Sequence, residues 1–211
     1  MKQSPVFEIT YANYIDQIAK IDFASIAPKI GARVEGDEIL IPVLGNLCRV
    51  SKNGILDQTG KRPSFDVCVI LCKYLILCPK DAPKDKEWVS FRDLKDSGPL
   101  TVAFKNNVEG AIAAHFAGKK EALEKAGQQI CGYSPDMELS YDLVMAFDIL
   151  PKLPLLLLYN DADEEFPAEC SLLLERCSEK YLDAECLAMA GGFLFNSLKS
   201  AFNYEKECMN E

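Results

Sequence analysis

Three groups of residues in this chain have side chains capable of chemistry. The first is Cys68, Cys72 and Cys78. Thiolates ligate zinc and iron–sulfur clusters. A helix over Phe65 to Leu77 would set Cys68 and Cys72 one turn apart on one face, with Cys78 just past its end. A cysteine pair separated by two residues, as metal-binding turns use, occurs nowhere in the sequence. The trio sits instead among Val67, Val69, Ile70, Leu71, Leu75 and Leu77. Cysteine is among the most buried residue types, so core packing accounts for these three and no metal is expected; ligation by them is the alternative. Cys170, Cys177 and Cys186 read the same way.

The second group is acidic: Asp161, Asp163, Glu164 and Glu165, directly after an apolar run from Leu155 to Tyr159. Carboxylates at a strand end can hold magnesium or calcium, or one can transfer a proton if burial raises its pKa. The plainer expectation is a solvated loop ahead of Phe166-Pro167, with Glu164 and Glu165 favouring the N-terminus of a following helix. Four acids in five residues exceed what a cap requires, so the run is kept as a ligand-binding candidate together with Asp142. The third group is Trp88 and Arg92, which could stack, although a lone tryptophan more often pins a loop to the core. His115 is the only histidine. No serine-centred elbow, glycine-rich phosphate loop or paired-histidine motif occurs, which disfavours the common hydrolase and nucleotide-binding classes.

The elements that must position these residues follow from periodicity and punctuation. Tyr11, Tyr14, Ile15, Ile18 and Ile21 predict a first helix over Phe7 to Ile21. Gly36-Asp37, Gly45-Asn46 and Asn53-Gly54 divide Ala32 to Asp57 into short runs, an antiparallel meander. Ser64 is the expected N-cap of the helix Phe65 to Leu77. Trp88 to Leu94 reads as an anchored turn or short helix. Asn106 with Glu109 resembles a capping box for a helix to Phe116, and another helix covers Lys119 to Gln129. Strands are expected over Glu138 to Phe147 and Leu153 to Tyr159, then helices near Ala168 to Glu179 and Ala184 to Tyr204. Asp183 caps the last, and Gly191-Gly192 inside it marks a close approach, by a neighbouring helix more readily than by a ligand. The expected fold is α+β, an antiparallel sheet covered by helices in a single domain over residues 1–211.

Bulk properties bound the function. With 211 residues the chain can bury roughly 70% of its unfolded surface and needs no disulfide or metal to fold. Its net charge of −9 repels phosphate backbones and anionic lipid, so neither nucleic acid nor membrane is an expected partner. Nine cysteines and no apolar leader after Met1 predict free thiols in a reducing cytosol.

Several segments, taken in order, resemble a known family. They are Ile41-Pro42-Val43-Leu44-Gly45 with Cys48-Arg49-Val50; Val69-Ile70-Leu71-Cys72-Lys73-Tyr74-Leu75; Trp88-Val89-Ser90-Phe91-Arg92-Asp93-Leu94; Asp142; Leu150-Pro151-Lys152-Leu153-Pro154-Leu155; Asp163-Glu164-Glu165-Phe166-Pro167-Ala168-Glu169; and Tyr181-Leu182. Nearly the whole chain thereby resembles an uncharacterised prokaryotic family, domain of unknown function 3786. The resemblance implies an anaerobic bacterial or archaeal setting, sometimes beside ferredoxin-like iron–sulfur modules. It names no reaction and no cofactor. The family pattern has histidine where this chain has Lys73 and apolar residues at Cys68 and Cys72, which counts against a cysteine cluster, while the acid-Phe-Pro segment fits. Two functions stay open: a binding or accessory protein of anaerobic metabolism that recognises a small molecule or protein, or an enzyme whose acids around Asp161 meet Asp142, Arg92 or His115 in one pocket.

Overall fold

A computed structural model describes residues 5–208. Its architecture is α+β, with two antiparallel sheets where the sequence suggested one. Helix α1 (Pro5–Ile18) stops short of Ile21 because Asp22 begins a separate helix, α2 (Phe23–Ile30), by accepting the Ala24 N–H at 3.1 Å. Pro28 lies inside α2 and disguises it as a loop in the sequence. Gly31, at φ 69°, ends it.

The meander follows as expected: β1 (Arg33–Glu35), β2 (Glu38–Val43), β3 (Asn46–Ser51) and β4 (Gly54–Leu56) pair in chain order. Val43 pairs with Asn46, so Leu44 and Gly45 form the second turn, both with positive φ, as a two-residue hairpin loop requires. Helix α3 (Phe65–Ile76) buries both Cys68 and Cys72; Ser64 precedes it but makes no side-chain capping bond.

The segment expected as a turn or short helix opens instead as β5 (Trp88–Ser90) and only then turns through a 3-10 stretch, Phe91–Asp93. The next helical run begins well before Asn106. Residues 101–116 are continuous: α4 (Thr101–Phe104), a π-helical turn (Lys105–Glu109) and α5 (Gly110–Phe116). Asn106 therefore lies inside a helix and caps nothing. Helix α6 (Lys120–Gln129) follows.

The second sheet contains β6 (Leu143–Leu150), β7 (Leu153–Asn160) and β8 (Glu169–Glu175), in the order β5-β8-β7-β6. The expected helix over Ala168 to Glu179 is this strand β8 plus a 3-10 turn, Arg176–Lys180. Leu172 and Leu174 alternate into the core, a period of two that the consecutive leucines 172–174 conceal. The last helix, α7 (Ala184–Cys208), is capped as expected: the Asp183 carboxylate accepts the Cys186 N–H at 3.0 Å. Gly191 meets a neighbouring helix, since a Cβ there would lie 2.5 Å from the Phe104 ring.

One buried cluster joins the helices to both sheets, including Ile39, Ile41 and Val50 from the first and Phe147, Leu155, Leu157 and Leu172 from the second. Among the described residues no helix is long and apolar enough to cross a membrane, and the cysteines are free thiols.

Candidate functional site

A cleft of about 450 Å³ lies between the π-helical turn and the start of β8. That is the size of a small-molecule site. Its walls include Arg92, Phe104, Lys105, Glu109, Gly110 and Cys170.

The π turn has a cause in the sequence. Phe104, Val108, Ile112 and Phe116 are all buried, and they recur every four residues. Twelve residues exceed three α-helical turns by about one residue. The surplus is taken up in the widened turn, where the Gly110 N–H donates to the Lys105 carbonyl. Gly110 fits there because a Cβ would already stand 3.2 Å from that carbonyl. Phe104 stacks on Phe91 with centroids 4.3 Å apart and packs on Gly191, which fixes the run against α7. Turns of this kind frequently occur at functional sites.

Glu109, in the π turn, accepts the N–H of Leu172 on β8 at 2.9 Å. Strand β5 pairs with β8 only as far as Ser90 opposite Leu173, and beyond that point the side chain of Glu109 takes the place of the missing strand. Burial raises the Glu109 pKa, opposed by the Leu172 N–H and by Lys105. Cys170 lies on the same face of β8 as Leu172, and burial pushes its thiol far up, helped by Glu109. The thiol is therefore protonated and poorly nucleophilic.

The acidic loop has a different construction. The Asp161 carboxylate accepts the N–H groups of Gly118 (2.6 Å), Ala162 (2.8 Å) and Lys120 (3.1 Å), and the Tyr159 hydroxyl lies 2.9 Å away. It clasps the end of β7 to the start of α6. The Asp142 carboxylate accepts the Asp161 N–H at 2.8 Å, and Asp163 accepts those of Glu165 and Phe166. Glu164 and Glu165 are exposed. Asp142 and Asp161 thus come together, as a backbone clasp.

Trp88 and Arg92 fall in different clefts. Arg92 lines the one beneath the π turn and pairs with Asp93 at 3.7 Å. Trp88 lies on the opposite face of the second sheet, in a cleft of about 290 Å³ shared with Tyr133, Asp148, Lys152, Glu175 and Cys177. His115 packs edge-on to Phe116, Phe195 and Phe202. Burial raises the Cys68 and Cys72 thiols to about 12, while Cys78 is half-buried and its thiol donates to the Pro79 carbonyl. Among the described residues no three His, Cys, Asp or Glu side chains sit where they could hold a metal ion.

Of the cleft residues, the sequence singled out only Arg92 as a site candidate. The spacing of Glu109 from Asn106 is that of a local cap, whereas its partner lies 63 residues away. The buried four-residue spacing from Phe104 to Phe116 was the available clue.

A family model for a domain of unknown function, DUF3786, matches residues 22–197. The chain belongs to that family. The matched span includes every residue lining the cleft, the whole acidic loop and the Gly191 contact; it leaves out α1. No curated protein and no solved structure matches the chain.

Proposed function

We propose that this DUF3786 protein is a binding protein whose ligand occupies the cleft between the π-helical turn and the start of β8. The observation that carries this is Glu109: a half-buried carboxylate, delivered by a π turn, bonded to a sheet N–H at the wall of a cleft of about 450 Å³. A π turn strains the helix, and here it places polar groups around a cleft large enough for a small molecule. Lys105, Asn106 and Arg92 supply exposed donors at its rim. The buried Cys170 thiol offers no activated nucleophile, so recognition without chemistry is favoured. At the acidic loop, Asp161 and Asp163 have oxygens committed to backbone N–H groups, which disfavours metal ligation or proton transfer there. The proposed setting is the cytosol, in keeping with the free cysteines, of an anaerobe, as the family resemblance implies, and an accessory role in anaerobic metabolism is the proposed task.

The test is a titration of isotope-labelled protein with a library of small polar carboxylates, amides and amines, followed by amide NMR. Binders shift the amides of Lys105, Gly110, Cys170 and Ser171. Ala168→Leu, which fills one end of the cleft, abolishes those shifts while leaving the melting temperature unchanged. Binders that instead perturb only the surroundings of Trp88 or Asp163 would place the site elsewhere.

A further inference from the structure

We infer that the ligand of this cleft is an extended peptide segment, which adds to the second sheet as a short antiparallel strand beside Cys170. The inference rests on the reading above and deepens it.

The register of β8 carries it. Leu157 pairs with Leu172 and Tyr159 with Cys170, in an uninterrupted antiparallel ladder. In such a ladder, N–H and C=O groups of alternate residues point to opposite sides. Two bonds show which residues point away from β7: Leu172 donates to Glu109 and Arg176 donates to the Glu87 carbonyl. Residues 172, 174 and 176 therefore face the β5 side, and so does Cys170. Beyond Ser90, however, β5 has ended. The Cys170 N–H and C=O face the cleft, and neither has a hydrogen-bond partner among the described residues.

The wall opposite explains why this position is open. Glu109 fills the slot beside Leu172, whereas the following helical residues on the cleft are Gly110 and Ala113, which are small. Room and an unpaired donor–acceptor pair coincide at one residue. Open sheet edges of this kind bind peptides through the main chain. Antiparallel pairing needs only the two free groups of Cys170. A parallel strand would bond in turn to the N–H groups of Cys170 and Leu172, and the second is taken by Glu109. The ligand residue opposite Cys170 points its side chain to the same face as Cys170, towards Gly110 and Ala113, so it must be small. Its neighbours point the other way, beside Ser90 and Ser171, where polar side chains fit.

The test uses capped pentapeptides with Ala, Val, Leu or Gly at positions two and four and polar residues at the other three, added to the intact protein. In the free protein the Cys170 amide exchanges with solvent at least ten-fold faster than that of Ser171, whose N–H points to β7. The best peptide slows Cys170 exchange. N-methylation at its small positions weakens binding at least ten-fold, and N-methylation at its polar positions leaves binding intact. Equal binding by the two methylated forms, or a Cys170 amide already protected in the free protein, overturns strand addition. If small fragments enter the cleft but no peptide does, this inference fails and the binding function stands. If neither enters, both fail.

Discussion

Asp161 and Glu109 are both carboxylates that accept backbone N–H groups, and their surroundings push them in opposite directions. Burial raises the Asp161 pKa, but the bonds from Gly118, Ala162, Tyr159 and Lys120 outweigh it and the net pKa is lowered from 3.8. A lowered folded-state pKa contributes stability that is complete above the unfolded value and is lost as pH falls through the folded one. Asp161→Ala is therefore expected to cost roughly 1–2 kcal/mol at neutral pH, the size of a lost helix cap. The cost should shrink once the pH is well below 3.8; urea midpoints at neutral and strongly acid pH measure both. Glu109 behaves in reverse, because burial raises its pKa above 4.5. The folded state then holds the proton more tightly, so the wild type loses stability as pH rises from 4.5 through the folded pKa. Glu109→Gln keeps an oxygen for Leu172 and carries no charge. It should flatten that part of the pH–stability curve and leave stability at neutral pH equal to or above the wild type. A variant whose stability falls with pH as steeply as the wild type would show that Glu109 is not the titrating group.

Helix packing sets the next scale. Gly191 and Gly192 are adjacent in α7 and meet different surroundings. A Cβ on Gly191 would stand 2.5 Å from the Phe104 ring and 3.3 Å from Val108, whereas one on Gly192 meets nothing within 4 Å. Gly191→Ala should destabilise by about 1–3 kcal/mol through overpacking. Gly192→Ala should stabilise by up to about 1 kcal/mol through helix propensity. Melting temperatures that move in opposite directions confirm this contact; two equal shifts would refute it. The close approach was legible from the paired glycines alone, as were the meander from Gly36, Gly45 and Gly54, and α7 from Asp183. These features are written locally, in turn and cap chemistry. Strand β8 was not legible, because what makes residues 169–175 a strand is pairing with β7 and with β5, the latter some 80 residues earlier in the chain. The π turn is hidden for the same reason. Asn106 and Glu109 have the spacing of a local cap, yet the partner of Glu109 is on β8. The cleft is assembled from three separate segments, so no local pattern marks it, and the open Cys170 N–H is visible only from the register.

At the scale of the whole molecule, the two sheets are joined by buried polar bonds as well as by a common core. The Tyr74 hydroxyl, on α3, donates to the Ile30 carbonyl at 2.8 Å and accepts the Lys152 N–H at 3.1 Å. It thereby ties the end of α2, just ahead of β1, to the turn between β6 and β7. Beside it, Gly31 lies so close to Pro151 that a Cβ would approach to 2.7 Å, and the Leu44 N–H from the first sheet donates to the Ile149 carbonyl in the second at 3.2 Å. Tyr74→Phe leaves the buried Ile30 carbonyl and the half-buried Lys152 N–H without partners, which costs about 1–3 kcal/mol. Where that cost is felt tests whether the chain unfolds as one unit. Trp88, the only tryptophan, lies on β5 of the second sheet, while α3 packs against α1, α2 and α7. If the shared core couples the sheets, Trp88 fluorescence and far-ultraviolet circular dichroism follow a single urea transition. Tyr74→Phe then shifts both midpoints by the same amount. A Trp88 transition that stays in place while the dichroism shifts would mean that the second sheet folds independently, with the Tyr74 bonds fastening two separate units.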